Sequence, residues 1–514
     1  MAGSTEHVIS VEELLSRKIN FVATEAGETS RGRDISGLQM RTIELQDEEA
    51  CELKKEFEKL REAGDHLSLN SPNGGQRAIP KIQKVPLLLR DHQHFAKYFE
   101  PRIVALGPIH HGTEKYQPAE KYKLIMTNCF VKESGKDDEV LYNVVKKNIK
   151  QLRQCFQQEV TKNYSDQALA WMLFVDGCAI LQSMHCAATS ACKDWKMKYD
   201  LMAFGTQDLF LLENQLPYQL LQDLMDSSAN KGELEKSITK FMYSQIILDG
   251  KAKPSMDKLG ITETPIHLLD RLRTLMIISK SRSSTPGEDK GREDKIKEEQ
   301  DGAAPPTRKS KTEIMPMESY SYRNVVELRS AGIHVKPSDA DLLTTITFKK
   351  PNHIFSTAKL ILSPIKVDDS MGPKFLNLIA YEMCPDFYNK LEITSYILFL
   401  DSLIDNIHDV TRLRNEGVLT NHLGSDEEVA RLFNEIGTDL VPDPEAYREV
   451  RNDIQTYYNS KLNKWIAEAR HEHCRTPWTV LAVSAAILIL GLTFLQTWFA
   501  FKDDVGNSRP RVRP

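Results

Sequence analysis

One uninterrupted apolar run near the C-terminus constrains the architecture of this chain more than any other feature. Residues Trp478 to Phe501 carry no charged side chain over roughly two dozen positions. A helix rises about 1.5 Å per residue, so this run can cross the roughly 30 Å hydrocarbon core of a bilayer. Trp478 and Trp498 lie near its ends, where amphipathic rings favour the headgroup zone. We predict one transmembrane helix over residues 477–501, which includes Gly491; a buried helix of a soluble domain is the alternative.

The charges around this run do not orient it in the membrane. Four basic side chains lie close on each side: Lys461, Lys464, Arg470 and Arg475 before it, and Lys502, Arg509, Arg511 and Arg513 after it. The positive-inside rule therefore favours neither orientation. Because only residues 502–514 follow the run and the first twenty residues lack the apolar core of a secretory signal, we predict a single-pass C-terminal anchor with the bulk of the chain cytosolic. Plasma membrane and endoplasmic reticulum both stay open.

The sequon Asn163-Tyr164-Ser165 offers a direct test of this topology. A glycan on Asn163 would place the main domain in the lumen.

Charge and cysteine usage exclude several classes of partner and site. The chain has 67 lysines and arginines against 72 aspartates and glutamates, a formal net charge of -5, so its overall field does not favour polyanions. Its eight cysteines are widely spaced, without a Cys-x-x-Cys pair or a Cys/His set at zinc-site spacing. We therefore predict reduced cysteines and no metal or other cofactor, and we expect no nucleic acid among the partners.

Apolar periodicity predicts a mainly α-helical fold. Tyr142, Val145 and Ile149 recur at three- and four-residue steps, the spacing of one helix face. β character is confined to two short runs in the C-terminal half, Leu343–Phe348 and Leu360–Val367, which are bounded by turn-forming residues. The pattern indicates a large helical domain with a small antiparallel β element in its second lobe.

Composition divides the chain into segments. Residues 281–313 hold almost no apolar side chain, so burial cannot offset their ordering entropy and we predict a disordered insertion. Farther on, Ser425 to Glu428 form a capping box that predicts the start of a helix. The predicted segments are a polar N-terminal arm (1–78), a helical lobe (79–280), the disordered charged insertion (281–313), a second lobe of helices with the β element (314–476), the transmembrane helix (477–501) and a short tail (502–514).

The commonest enzyme signatures are absent from the sequence. The sequence has no Walker A loop, no dinucleotide-binding glycine motif after a strand, no HExxH and no GxSxG. We therefore assign no catalytic, cofactor-binding or metal-ligating residue and expect a protein that is not an enzyme.

The densest polar cluster lies in the turn from Gly107 and Pro108 through His110 and His111 to Gly112. Adjacent side chains diverge by about 100° on a helix and point to opposite faces on a strand, so two neighbouring histidines make a poor metal site. One histidine could still act as a ligand or a base. The other interpretation is a tight turn whose imidazoles bond to backbone groups; the same alternatives apply to residues 471–474, just before the apolar run.

Two further polar positions are candidates. Asp176 stands among apolar neighbours, where burial raises a carboxyl pKa unless a cation or donors hold the charge. Glu213, Asn214 and Gln215 come just before Pro217, which lacks an N–H and disfavours helix in the preceding residue. Each set has two interpretations: groups that satisfy buried structure, or groups that line a ligand-binding cleft.

Several short stretches, taken in order, resemble one family, the plant transmembrane proteins called domain of unknown function 247, or UPF0481-like proteins. The similar stretches are Lys84–Pro86 with Leu89-Arg90, Glu100–Arg102, Leu106–Gly112, Asp176–Cys178, Asp208–Pro217, Glu327–Ile333, Asn377–Glu382, Leu403–Asp405 with Asp409-Val410, Leu423–Glu428 and Pro477-Trp478. The resemblance covers about Lys81 to Phe501. It departs at Ile109, where the family usually has an aromatic residue, and in the length of the 281–313 insertion.

The resemblance implies a membrane protein without an established activity or cofactor. Some grass members of the family are implicated in pollen–stigma self-incompatibility, which would suit recognition. Our leading hypothesis is a membrane-anchored interaction or recognition protein, with the bilayer and an unidentified protein as partners; small residues of the span, Ala482, Ala486 and Gly491, also permit a homo-oligomer. The competing hypothesis is an enzyme or small-ligand receptor whose cleft gathers His110, His111, Asp176 and residues 213–215.

Overall fold

The computed structural model describes most of the chain beyond residue 80. The described residues are 55, 57–61, 81–92, 94–189, 198–248, 264–277, 323–339, 342–352, 356–387, 390–460 and 477–506. The chain divides into two units, Met1–Ala78 and Ile79–Pro514. In the first, residues 57–61 are helical and exposed. The predicted disordered insertion, 281–313, and the histidine-containing segment 471–474 lie outside the described residues.

Helices dominate the first part of the second unit. They are α1 (Leu87–Arg90), α2 (Gln117–Ser134), α3 (Asp138–Gln154), α4 (Gln158–Thr161), α5 (Asp166–Thr189), α6 (Tyr199–Asp208), α7 (Tyr218–Asp226), α8 (Lys231–Ser244) and α9 (Leu268–Ile277). Among the described residues, short 3-10 turns lie at Ala96–Tyr98, Glu114–Tyr116 and Leu212–Asn214.

Helix α5 is the centre of this part, and α2, α3, α7 and α8 pack around it. It is apolar on nearly all sides, as expected of a helix surrounded by protein. Gly177 lets α7 come close, since a Cβ atom there would meet a methyl group of Leu224 at 2.8 Å. Helix α5 is therefore a core helix of this part of the protein.

The remaining helices and all the named strands follow residue 323. The helices are α10 (Val325–Ser330), α11 (Met371–Glu382), α12 (Glu392–Leu403), α13 (Ile407–Asn415), α14 (Asp426–Gly437), α15 (Arg448–Asn459) and α16 (Pro477–Gly506). The strands are β1 (Ile333–Pro337), β2 (Ile346–Lys349), β3 (Ala358–Leu362), β4 (Ile365–Val367) and β5 (Leu419–Asn421). The predicted mainly helical fold with a small sheet is confirmed.

The small β element is mixed, which corrects the purely antiparallel arrangement expected from sequence. Strand β2 pairs antiparallel with β3, but β1 pairs parallel with β3 on its other side. The run Leu360–Val367, expected as one strand, is split: Pro364 lacks an N–H and interrupts the ladder. Its second half, β4, pairs parallel with β5 in a separate two-stranded sheet.

The capping box at Ser425 begins α14 as predicted, with one difference. Ser425 Oγ accepts the N–H of Glu428 at 3.2 Å. The Glu428 carboxylate reaches back to the N–H of Gly424 at 3.0 Å rather than to that of Ser425. Both bonds satisfy donors at the start of the helix, where no carbonyl is available within the helix.

One hydrophobic core runs through the second unit, from Ile82 to Ile436. A buried ion pair lies within it, because Arg273 of α9 donates to Glu382 of α11 at 2.8 Å. Glu382 also accepts the N–H groups of Ile393 and Thr394, at 3.0 and 2.9 Å, at the start of α12. Helices on both sides of the segment 278–322 thus share one interior, while the lobe boundaries at residues 280 and 314 stay predictions.

Helices α5 and α16 differ in how well their length, composition and burial suit a membrane span. Among the described residues, α5 alone is long and apolar enough to cross a bilayer, but 89% of its apolar window is buried inside the protein. Helix α16 contains a shorter apolar segment, Ser484–Ala500. Every side chain described from Leu481 to Ala500 is exposed. Length and composition alone are weak evidence for a span. The difference in burial between α5, which is inside the protein, and α16, which is exposed, is more informative.

Candidate functional site

The turn that holds the two histidines is docked onto α5 by a buried ion pair. Asp176 is 1% exposed, and its Oδ2 accepts the N–H of Gly107 at 2.8 Å. Its Oδ1 accepts from Lys123 Nζ of α2 at 2.6 Å, and the same ammonium donates to the carbonyl of Ala105 at 3.0 Å. Burial alone would lower the pKa of Lys123, but Asp176 and Glu120 raise it, so the ammonium stays charged.

Gly107 occupies a position that a side chain would disturb. Its φ is +65°, in the left-handed region that favours glycine. A Cβ atom there would lie 3.1 Å from the backbone carbonyl oxygen of Gln215. The turn therefore approaches the segment 213–215 too closely for another residue to fit without movement.

Asn214 and Gln215 satisfy backbone groups of the broken turn before Pro217. Asn214 accepts the N–H of Leu106 at 2.6 Å and donates to the carbonyls of Val104 and Asp208 at 3.0 and 2.9 Å. Gln215 donates to two carbonyls of the preceding residues, Leu209 and Leu211, and accepts the N–H of Leu269 at 3.0 Å. These side chains take the place of the backbone bonds that an interrupted helix lacks.

Glu213 joins the histidine turn to α1. It is 5% exposed, accepts the N–H of Val85 at 2.8 Å and pairs with the guanidinium of Arg90. Its Oε2 lies 3.1 Å from Nε2 of His110, without hydrogen-bond geometry. Burial lowers the pKa of His110 to about 4, so its imidazole is neutral near pH 7.

The two histidines point to different neighbours. His110 faces Glu213, whereas the ring of His111 lies 6.1 Å from that of Tyr164, whose hydroxyl donates to the carbonyl of Pro108 at 3.1 Å. No group of three or more His, Cys, Asp or Glu side chains suited to a metal ion occurs in the described part of the chain. The divergence expected of adjacent side chains is what the turn displays.

All eight candidate positions thus surround one turn, and none of them lines either of the two cavities that the structure shows nearby. The eight positions are Gly107, Pro108, His110, His111, Asp176, Glu213, Asn214 and Gln215. Their polar atoms mainly bind backbone groups and each other. Within the described residues, the carboxylates and amides among these side chains form one buried hydrogen-bonded network.

A cavity of about 390 Å³ lies between α2, α5 and α6, next to the segment that leads into the turn. Residues 102–104 and Leu106 form one wall, and the stem of Lys123 forms part of another. The carboxylate of Asp208 holds the first wall in place by accepting the N–H groups of residues 102, 103 and 104 at 2.8–2.9 Å. Burial raises the pKa of Asp208, and these three donors oppose that shift.

A second, more open cavity of about 1080 Å³ lies between the segment after α1 and helix α14. It is lined by polar groups that include His92, His94, Asp405 and Glu435. Nearby, burial and the neighbouring Asp405 raise the pKa of Asp401 to about 6.

Sequence reasoning missed several residues that complete the network. Lys123, Arg90 and Asp208 supply its charges, and Asn377 accepts the N–H of Leu212 at 2.8 Å while it donates to the carbonyl of Tyr98 at 2.9 Å. Asp208 and Asn377 fall within stretches of the family resemblance, which could have marked them. Lys123 lies on an ordinary charged helix face, and no local pattern distinguishes it.

Cys186 differs from the prediction of reduced cysteines. It is disulfide-bonded, whereas Cys129, Cys155, Cys178 and Cys384 are free thiols. Regular spacing identifies some disulfide frameworks in sequence, but Cys186 has no such pattern around it.

The sequence of this chain matches a known protein family. A family profile described as a plant protein of unknown function, DUF247, matches residues 82–492 and therefore most of the chain. The chain belongs to this family. The DUF247 match includes the histidine turn, the 208–217 segment, helix α11 and the start of α16, so the resemblance found in the sequence is confirmed.

Two curated relatives support the DUF247 assignment. A UPF0481 protein of Arabidopsis thaliana is 27% identical over 439 residues, which cover 80% of this chain and 86% of the relative. A second UPF0481 protein of the same plant is 27% identical over 204 residues, 38% of this chain and 37% of the relative. No solved structure matches this chain significantly.

Proposed function

We propose that this DUF247 protein is a membrane-anchored recognition protein, in which α16 tethers a helical domain that binds another protein. The exposure of α16 carries the proposal. Large apolar side chains such as Leu490, Phe494 and Trp498 are 70%, 68% and 61% exposed. Leaving a large apolar side chain in water costs about 1.5–3 kcal/mol relative to burying it, and a bilayer removes that cost while the helix satisfies its own backbone.

An exposed aromatic cluster, far from α16 in the sequence, supports the recognition role. Trp171 is 54% exposed although it belongs to the otherwise buried α5. Its ring lies 6.0 Å from that of Tyr142 and 5.8 Å from that of Phe174, and these contacts hold it at the surface. Tryptophan and tyrosine are enriched among the residues that dominate protein–protein affinity.

The candidate polar groups support binding over catalysis. The hypothesis of an enzyme requires side chains with free polar atoms around an open pocket. Asp176, Asn214 and Gln215 are instead buried and bonded to backbone groups.

The sequence-based expectation is a domain on the cytosolic side of the membrane, and one observation of the structure favours the opposite side. The disulfide of Cys186 favours the lumenal or extracellular side, because disulfides persist in oxidising compartments and are rare in the cytosol. Asn163 is exposed in the turn between α4 and α5, so a glycosylation machinery on that side could reach it.

The topology test uses the full-length protein in plant cells. A glycosidase-sensitive mass shift that is lost in Asn163→Gln would place the domain in the lumen or outside the cell. A domain that is digested by protease in intact microsomes, without such a shift, would place it in the cytosol.

The anchor and the recognition surface are tested separately. Wild type should stay in the pellet after alkaline carbonate extraction, and deletion of residues 477–501 should release it. In proximity labelling, Trp171→Ala should lose partners that wild type recovers reproducibly, while Val441→Ala, which changes an exposed apolar residue on the loop after α14, should retain them. A wild-type protein that recovers no reproducible partner, or a truncated one that stays in the pellet, contradicts the proposal.

Lateral pairing of α16 belongs to the same proposal. Gly491 has nothing within 4 Å of an added Cβ atom, which leaves room for a second helix. Crosslinking of wild type but not of Gly491→Leu would support a homo-oligomer, and equal monomer fractions in both would oppose it.

A further inference from the structure

The 390 Å³ cavity between α2, α5 and α6 has the size of a small-ligand site. Ligand pockets commonly measure about 300–1,000 Å³. Because one water molecule takes up about 30 Å³ of liquid volume, the cavity holds on the order of a dozen non-hydrogen atoms. Met126 and Phe241 are buried and form its floor, whereas Arg102, Lys115 and Tyr122 are exposed and mark its mouth.

The walls of this cavity favour an apolar ligand body. Its lining includes aliphatic and aromatic side chains from all three helices. The hydroxyls of two lining residues already bond within their own helices: Ser183 donates to the carbonyl of Ala179 at 2.7 Å, and Thr206 donates to that of Met202 at 2.8 Å. The protons of these hydroxyls are already used within the helices. We therefore expect burial of apolar surface to be the main source of affinity for a ligand in this cavity.

The charged side chains of the lining all carry one sign. They are Arg102, Lys115 and Lys123, and among the residues that the structure describes no acidic side chain lines the cavity. Lys123 is balanced by Asp176 at 2.6 Å. The guanidinium of Arg102 lies over the ring of Phe204, 5.2 Å from its centre, and is attracted by the carboxylate of Asp208. It makes no side-chain hydrogen bond or close ion pair with any residue in the described ranges.

Lys115 adds a weaker positive charge beside Arg102. Its Nζ donates to the carbonyl of Pro101 at 2.9 Å and lies 4.0 Å from the carboxylate of Glu100. That glutamate is 71% exposed, so solvent screens the pair. The mouth of the cavity therefore offers a guanidinium with unused donors next to a partly paired ammonium.

We propose that this cavity binds a small amphipathic carboxylate, with its apolar body between α2, α5 and α6 and its carboxylate on Arg102. A guanidinium matches a carboxylate with two parallel N–H donors, and such charge-assisted bonds are stronger than neutral ones. Asp208 fixes the backbone of residues 102–104, so the side chain of Arg102 extends from a held backbone at the edge of the cavity. The site is independent of the recognition surface at Trp171, so either proposal can fail alone.

Gly205 provides a way to fill the cavity without damage. It lies on α6 in the lining, and a Cβ atom added there would meet nothing within 4 Å. Gly232 on α8 has the same open surroundings but lies outside the lining, which makes it a matched control. Lys146 on α3 is exposed and is the control for removal of a positive charge.

The experiment measures binding of 2-naphthoate and of its neutral isostere 2-naphthamide to the full chain in lipid nanodiscs, with empty nanodiscs subtracted. Wild type should bind both by calorimetry, and naphthoate more tightly. Arg102→Gln should weaken naphthoate by about tenfold or more and naphthamide hardly at all. Gly205→Leu should lose both ligands, whereas Gly232→Leu and Lys146→Gln should match wild type.

Three results would overturn the proposal. They are no naphthoate binding by wild type, undiminished binding by Gly205→Leu, and an equal loss of both ligands in Arg102→Gln. Thermal melting of each variant shows that it is folded, and competition by unlabelled naphthoate for binding of anilinonaphthalene sulfonate provides a second readout at the same cavity.

Discussion

Lys123 and Asp176 form an ion pair of 2.6 Å between α2 and α5, with both side chains almost fully buried. The pair also holds the histidine turn, because each partner bonds to its backbone, at Ala105 and Gly107. Removal of one partner from a buried pair leaves the other charge uncompensated, which usually costs about 3–5 kcal/mol.

Lys123→Met should therefore lower the free energy of unfolding by about 3–5 kcal/mol. The double variant Lys123→Met/Asp176→Leu should recover part of that loss, since it leaves no unpaired charge. Chemical denaturation followed by circular dichroism measures both, with exposed Lys146→Met as the control. A single variant as stable as wild type would show that the pair does not hold the turn.

Gly107→Ala should destabilise the protein more than Gly112→Ala. Both glycines have positive φ, +65° and +81°, so each alanine carries a backbone cost of roughly 1–2 kcal/mol. An added Cβ at Gly107 would meet the carbonyl oxygen of Gln215 at 3.1 Å, whereas one at Gly112 would meet nothing within 4 Å. The difference between the two melting temperatures isolates the contact, and equal values would argue against it.

His267 should make the protein less stable as the pH falls. It is fully buried, and burial lowers its pKa from 6.5 to about 4. The unfolded chain binds the proton first, so the stabilising contribution is complete above pH 6.5 and is lost progressively as the pH falls toward 4. The loss is up to about 3 kcal/mol. His267→Phe should flatten this part of a stability–pH curve; an unchanged slope would assign it to other groups.

Asp401 should make the protein less stable as the pH rises, which is opposite to the effect of His267. Burial and Asp405 raise its pKa from 3.8 to about 6, so the folded state favours the protonated acid. Its stabilising contribution is present below pH 3.8 and is lost as the pH rises through 6. Asp401→Asn should therefore raise the free energy of unfolding at pH 7, by about 1–2 kcal/mol after solvent screening. Denaturation at pH 4 and pH 7 measures this; a variant less stable at pH 7 would contradict it.

Local patterns were sufficient where one element determines its own surroundings. The apolar spacing of Tyr142, Val145 and Ile149 predicted the helix that the structure shows as α3, and the capping residues at Ser425 predicted the start of α14. Both follow from the 3.6-residue period and from the unsatisfied N–H groups at a helix start. The sheet was predicted less well, since parallel pairing of Ile333 with Ala358 depends on contacts that the strands themselves do not encode.

The polar network shows the same limit at the candidate site. Sequence marked the histidine turn, Asp176 and residues 213–215 as unusual, and the structure brings them around one turn. The sequence could not pair Lys123 with Asp176, 53 residues away, or Arg90 with Glu213, 123 residues away. A charge on a helix face looks the same in sequence whether it meets solvent or a buried carboxylate.

By itself, the sequence determined the family, the mainly helical class and the uncharged C-terminal run, because each depends on residue types at short spacing. Only the tertiary structure decided which apolar helix is buried and which is exposed, where the candidate polar groups bond, and that a cavity whose guanidinium has unused donors opens beside them. Burial and ion pairing arise from residues far apart in the chain, and their free energies depend on distance and solvent access rather than on neighbours in sequence.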